Sequence, residues 1–203
     1  MDNHKNYSGK ITPTFNARVG AVAIFIGGIG IGTLSLLPEK FAPLSLLLLG
    51  ISVFGCWALS DEMGTEKPLI RGAMVAFVFA AAAKSQALLL LDAALIARFY
   101  IFYAFTILVA LLLWSAAFLH RQKELKIIGA VGALATVVPI VMLLLGHVVV
   151  GVGGVFGLTA LFSVAEGGTQ IKFAAIDSID LIFAVWAIVA GFVLWGGHIR
   201  KSV

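Results

Sequence analysis

Phe99–Leu119 reads FYIFYAFTILVALLLWSAAFL, an uncharged stretch set between Arg98 and the pair His120-Arg121. As a helix its 21 residues extend about 32 Å. The hydrocarbon core of a bilayer is about 30 Å thick, so this segment predicts a transmembrane helix. The rest of the chain repeats the pattern. Val19–Leu37 is another uncharged run, closed by Pro38-Glu39-Lys40. Phe41–Ser60 follows, with Pro43 placed where a first helical turn tolerates it. A third run extends from Leu69 to Leu91 and contains Lys84-Ser85-Gln86. The final run is Leu181–Ile199, followed by Arg200-Lys201.

Composition supports the same class. Of 203 residues, 61% are hydrophobic and 12% charged, and the mean hydropathy is +1.08. A soluble domain carries about 25% charged residues, so this chain lacks the polar surface to cover a globule in water. The fold expected is all-α: one polytopic transmembrane helical bundle over residues 1–203, with residues 1–18 as a polar cytoplasmic tail. No linker or low-complexity tract divides it. The tail and the uncut run after it do not resemble a cleaved signal peptide. The sequon Asn6-Tyr7-Ser8 falls in this tail and is discounted for that reason.

The span count turns on Ile127–Ala165, 39 residues without Asp, Glu, Lys or Arg. One helix of that length would measure about 58 Å, twice what a bilayer needs. Two spans of about 17 residues leave about five for a reversal. Gly146, Gly151, Gly153 and Gly154 could supply it, because glycine reaches the backbone angles of a tight turn. The expected arrangement is therefore seven spans: 19–37, 41–60, 69–91, 99–119, 127–145, 150–165 and 181–199. The alternative is six spans plus a broken or re-entrant segment at 146–154.

Charge sets the orientation. With the N-terminus inside, seven spans place nine Lys/Arg inside and four outside, and six spans place ten inside and three outside. Both favour a cytoplasmic N-terminus in a bacterial-type cell membrane. The net charge of +4 lies at the ends of apolar runs, which reads as topology signal and not as a nucleic-acid surface. Tyr100, Tyr103, Trp57, Trp114 and Trp195 fall near span ends, where headgroup-level rings are expected.

Few residues carry chemistry. Lys84 is the one charged residue well inside a run; placed about 8 Å short of the far face, its stem is expected to snorkel outward. His147 sits in the glycine-rich segment, with His120 and His198 at helix ends; no pair faces deep in the bundle, so haem ligation is not expected. Glu166, Asp177 and Asp180 flank the last loop. A cation site is conceivable there, but Asp177-Ser178-Ile179-Asp180 before an apolar run reads first as a helix N-cap. These five residues, Lys84, His147, Glu166, Asp177 and Asp180, are the candidates for a polar site. Gly28/Gly32 and Gly153/Gly157 have the G-x-x-x-G spacing that lets helices approach closely, and Ala80–Ala83 offers a similar smooth face.

Enzymatic motifs are missing. Cys56 is the single cysteine, no metal-ligand spacing exists, and the glycines lack the context of a phosphate loop. Ser115 has no nucleophile-elbow context and is expected to bond back to its own helix. The last span contains no polar group from Leu181 to Trp195, and no Asp or Glu was placed in mid-membrane, where ion-coupled carriers keep one. The reading is a non-enzymatic membrane protein without cofactor, an accessory or assembly subunit acting by helix packing. A small-solute or lipid transporter or channel is the alternative. The partners expected are the lipid bilayer and other membrane subunits or further copies of the chain, with no nucleic acid.

Overall fold

The computed structural model describes residues 15–34, 42–64, 67–90, 92–120, 123–145 and 174–196. Among these residues every regular element is a helix: α1 (Phe15–Leu34), α2 (Ala42–Met63), α3 (Pro68–Leu89), α4 (Ala93–Leu119), α5 (Lys123–Leu145) and α6 (Ala174–Trp195). Phe15–Leu34, Leu44–Met63, Pro68–Leu89 and Arg98–Leu119 are long and apolar enough to cross a membrane, while Leu125–Val141 and Ile179–Trp195 are shorter apolar segments. Large apolar side chains also cover the outside of the bundle, among them Phe79, Leu134 and Phe192. Helices apolar on every side suit a lipid solvent.

Local chemistry explains the helix boundaries. Gly64 ends α2 at a φ of 93°, where a side chain would be strained. Pro68 opens α3, where its missing N–H costs nothing. The Asp92 carboxylate accepts a hydrogen bond from the Leu95 N–H at 2.9 Å, so α4 starts at Ala93, six residues ahead of the expected Phe99. Pro139 lies within α5, a position membrane helices accommodate.

Neighbour pairs give the direction of each helix. Gly20, Gly27 and Gly30 of α1 face Ala58, Ser52 and Leu48 of α2, so the two are antiparallel. Gly72 of α3 lies against Leu113 of α4, while Lys84 approaches Tyr103, again antiparallel. Gly129 of α5 packs on Ser115 and Leu119 of α4. Gly20, Gly28 and Gly32 meet Leu194, Ala187 and Ala184 of α6, so α6 is antiparallel to α1. It is parallel to α4, since Tyr103 meets Asp180 and Trp114 meets Trp186.

The six described helices thus alternate in chain order. This order supports a helical bundle but not seven spans specifically, since one crossing at 150–165 would make α6 parallel to α5, whereas it runs antiparallel. Residues 146–173, including Gly153 and Gly157, lie outside the described residues. Gly28 and Gly32 lie in the α1–α6 contact, where an added Cβ would collide with Ala187 and Ala184.

An aromatic cluster joins α3, α4 and α6. Trp114 stacks on Trp186 with centroids 5.0 Å apart and meets Phe77 at 5.6 Å. Phe77 meets Phe183 at 5.3 Å. The Trp114 indole N–H donates to Ser60 Oγ of α2 at 3.1 Å. The headgroup placement expected for Trp114 is therefore wrong: the ring is fully buried, and its polar atom is satisfied by a neighbouring helix instead of interfacial water. Trp57 and Trp195 do face outward, and Arg18 lies 5.9 Å from the Trp195 ring at the end shared by the start of α1 and the end of α6.

Candidate functional site: a buried Lys–Asp–Tyr cluster

Farther along from the aromatic cluster, the same three helices bring together Lys84, Tyr103 and Asp180. Each sits on a seam with spacing three and four. In α3 the seam is Ile70, Ala73, Phe77, Ala80, Lys84 and Ala87, all buried. In α4 it is Tyr103, Ile107, Ala110, Trp114 and Ala117, and in α6 it is Asp180, Phe183, Ala187, Ala190 and Leu194. This period returns side chains to one face of a helix, and the alanines between let the backbones come close.

The geometry is closed. Lys84 Nζ lies 2.5 Å from Asp180 Oδ2, and the Tyr103 hydroxyl donates to Asp180 Oδ1 at 2.5 Å. Each carboxylate oxygen therefore receives one donor. Lys84 Nζ also lies 4.8 Å from the centre of the Tyr103 ring, whose face attracts a cation. Lys84 is 4% exposed, Asp180 3% and Tyr103 0%. A lone charge removed from water costs several kcal/mol, but here the opposite charges cancel within one contact. Gly32 of α1 packs against the backbone of this part of α6, with its added Cβ falling 3.5 Å from the Asp180 carbonyl.

Three expectations are corrected here. Lys84 does not snorkel; its seam faces inward, and an acidic partner inside the bundle holds the amine more strongly than a distant headgroup layer. Asp180 does not cap a helix, because α6 begins at Ala174 and places it in the second turn. Tyr103 is not a headgroup ring. The statement that no Asp or Glu enters the bundle falls with them. Asp177 lies in the first turn of α6, but its side chain, like His147, His198 and Glu166, lies outside the described residues.

No match to this chain was found among protein-family models, curated proteins or solved structures. The site therefore has to be judged on its own chemistry. Among the described residues no group of three His, Cys, Asp or Glu side chains could hold a metal ion. His120 is exposed, with Nδ1 2.8 Å from the Ala116 carbonyl of its own helix. Cys56 is buried in α2. Ser85 bonds back to Ala81 at 2.8 Å. Ser115, expected to do the same, has no hydrogen-bond partner among the described residues; its hydroxyl rests on Gly132 of α5.

Both oxygens of Asp180 are engaged and the amine of Lys84 is paired, so the cluster is arranged to hold α3, α4 and α6 in one register. Sequence reading missed Tyr103, and treated Lys84 and Asp180 separately. The seam spacing was the available signal: it puts Lys84 on the face of Ala80 and Ala87, opposite the lipid-facing Val75, Val78 and Phe79.

Proposed function

We propose that this chain is a six-pass protein of the cytoplasmic membrane that works through helix association, as an accessory or assembly subunit without catalytic chemistry. The observation that carries this reading is the closure of the Lys84–Asp180–Tyr103 cluster. Carriers for polar solutes keep intramembrane charges on a pathway, whereas these groups are spent on each other and do not line the apolar groove of the bundle. A paired charge on a packed seam serves register and orientation, the best-attested use of such groups.

Extraction with native lipid tests it. A distinct membrane subunit should co-purify in fixed stoichiometry, and its level in the membrane should fall when this chain is deleted. A chain that purifies alone with a bound small solute would sink the reading. That outcome would favour the second one, a small-solute or lipid carrier, which is supported by a groove of about 420 Å³ between α4, α5 and α6. That volume lies within the range of ligand sites.

Topology is part of the proposal. Six passes place both termini and the connection between α4 and α5 in the cytoplasm, with ten Lys/Arg inside and three outside. A reporter fused after Val203 should read cytoplasmic, and cysteine labelling at Gln122 from outside intact cells should fail. A periplasmic C-terminal reporter would restore seven spans.

A further inference from the structure

The described helices fall into two groups. Gly27 and Gly55 bring α1 and α2 together, and Gly28 and Gly191 bring α1 and α6 together. Gly129 and Gly132 do the same for α4 and α5, and α3 packs along α4. At each of these six glycines an added Cβ would fall between 2.2 and 2.9 Å from the neighbouring helix. None of the six approaches joins α1–α2–α6 to α3–α4–α5. Contacts between the groups are sparser and fall chiefly between α2 and α3, which the chain itself joins. Small residues that let backbones touch make a firm helix pair, so each group is a packed body.

Across the junction the groups meet through large and polar side chains. At one end Asp180 of α6 holds Lys84 and Tyr103, each at 2.5 Å. Both donors belong to the other group, so Asp180 is the residue through which α1–α2–α6 enters the cluster. In the middle Phe77 meets Phe183 and Trp114 stacks on Trp186. Toward the other end Trp114 donates to Ser60. There the chain passes from α2 to α3 through Gly64, at a φ of 93°. The Lys67 N–H donates to the Gly64 carbonyl at 3.2 Å. A hinge needs a few residues that absorb backbone rotation, and glycine has that freedom. From Pro68 to Lys84, α3 forms a lever about 24 Å long.

We propose that the bundle is a hinged pair of three-helix bodies, which pivots at the Gly64 turn and is latched at the far end by Asp180 on Lys84 and Tyr103. Opening parts the carboxylate from both donors and draws Phe183 away from Phe77. A rotation of about 15°, the size of a familiar rigid-body switch, carries the latch about 6 Å over that lever. A binder that satisfies the parted charges better than they satisfy each other shifts the balance to the open form. The device goes beyond the proposed function and holds for a subunit or a carrier alike.

Spin-label distance measurements on the full-length chain in lipid nanodiscs test it, with Cys56→Ala removing the native thiol. Leu47→Cys with Leu89→Cys labels two exposed positions across the junction at the latch end. Val19→Cys with Leu119→Cys spans the junction at the hinge end. Thr33→Cys with Leu47→Cys, and Leu89→Cys with Phe102→Cys, each lie within one body. Asp180→Leu removes both latch contacts and should lengthen the Leu47–Leu89 distance by about 6 Å. The other three distances should stay as they are with the latch intact. Tyr103→Phe keeps the ion pair and should give a smaller increase in the same pair alone; it carries the test if Asp180→Leu does not fold. An unchanged Leu47–Leu89 distance in the variants that fold would overturn the proposal. So would equal broadening of all four distances, the result expected if the cluster only sets helix register. Neither result bears on co-purification of a subunit, so the two readings fail separately.

Discussion

Lys84→Met should destabilise the bundle by about 3–5 kcal/mol, because it leaves the Asp180 carboxylate buried without its counter-charge. A lysine that only snorkelled would give the opposite result, since its removal takes a charge out of lipid. Asp180→Leu alone should cost a similar amount by stranding the amine. The double variant Lys84→Met/Asp180→Leu should recover most of the loss, because apolar pairs of similar volume replace buried ion pairs at little cost. Tyr103→Phe removes one hydrogen bond to a charged acceptor and should cost about 1.5–3 kcal/mol. Denaturant unfolding in mild detergent reads all four. Wild-type stability in Lys84→Met, or strictly additive losses in the double variant, would show that the pair does not act as a unit.

Trp114→Ala should be comparably damaging, at about 3–5 kcal/mol. Trp114 is fully buried, stacks on Trp186 and meets Phe77. Truncation opens a large cavity at the junction of α3, α4 and α6. It also removes the donor to Ser60 Oγ, a polar tie from α4 to α2. Trp114→Phe separates the two contributions, since it keeps most of the ring and loses the N–H; its cost should be about 1–3 kcal/mol. The same unfolding measurement decides it. If Trp114→Ala unfolds like the unaltered chain, the ring does not hold this junction. A full loss in Trp114→Phe would assign the effect to the hydrogen bond and not to packing.

The two expectations share a physical origin. With lipid outside and apolar side chains on every helix face, the hydrophobic effect does not select which faces meet. Close backbone approach and polar pairing make that selection. Gly28 and Gly32 on Ala187 and Ala184 provide the first in the α1–α6 contact. Lys84, Tyr103 and Asp180 provide the second in the contact of α3, α4 and α6.

Sequence alone was enough for the all-helical class, since Phe99–Leu119 and Val19–Leu37 are long and apolar enough to leave no other reading. Prolines and charge clusters also punctuate the runs near the ends of α2 and α3, whereas α4 begins at Ala93, six residues ahead of the expected Phe99. Sequence did not decide the number of passes, because the uncharged stretch Ile127–Ala165 gives no local signal of where the chain reverses. The direction of α6 among the described helices favours the six-pass proposal. Nor could sequence pair Lys84 with Asp180, 96 residues apart. Local rules offered a sound explanation for each residue by itself, snorkelling for the lysine and capping for the aspartate. Seam periodicity could have turned all three polar residues inward, but which seam meets which depends on contacts distant in sequence. Only the packed bundle brings the amine, the carboxylate and the phenol to one point, where each removes the cost of burying the others.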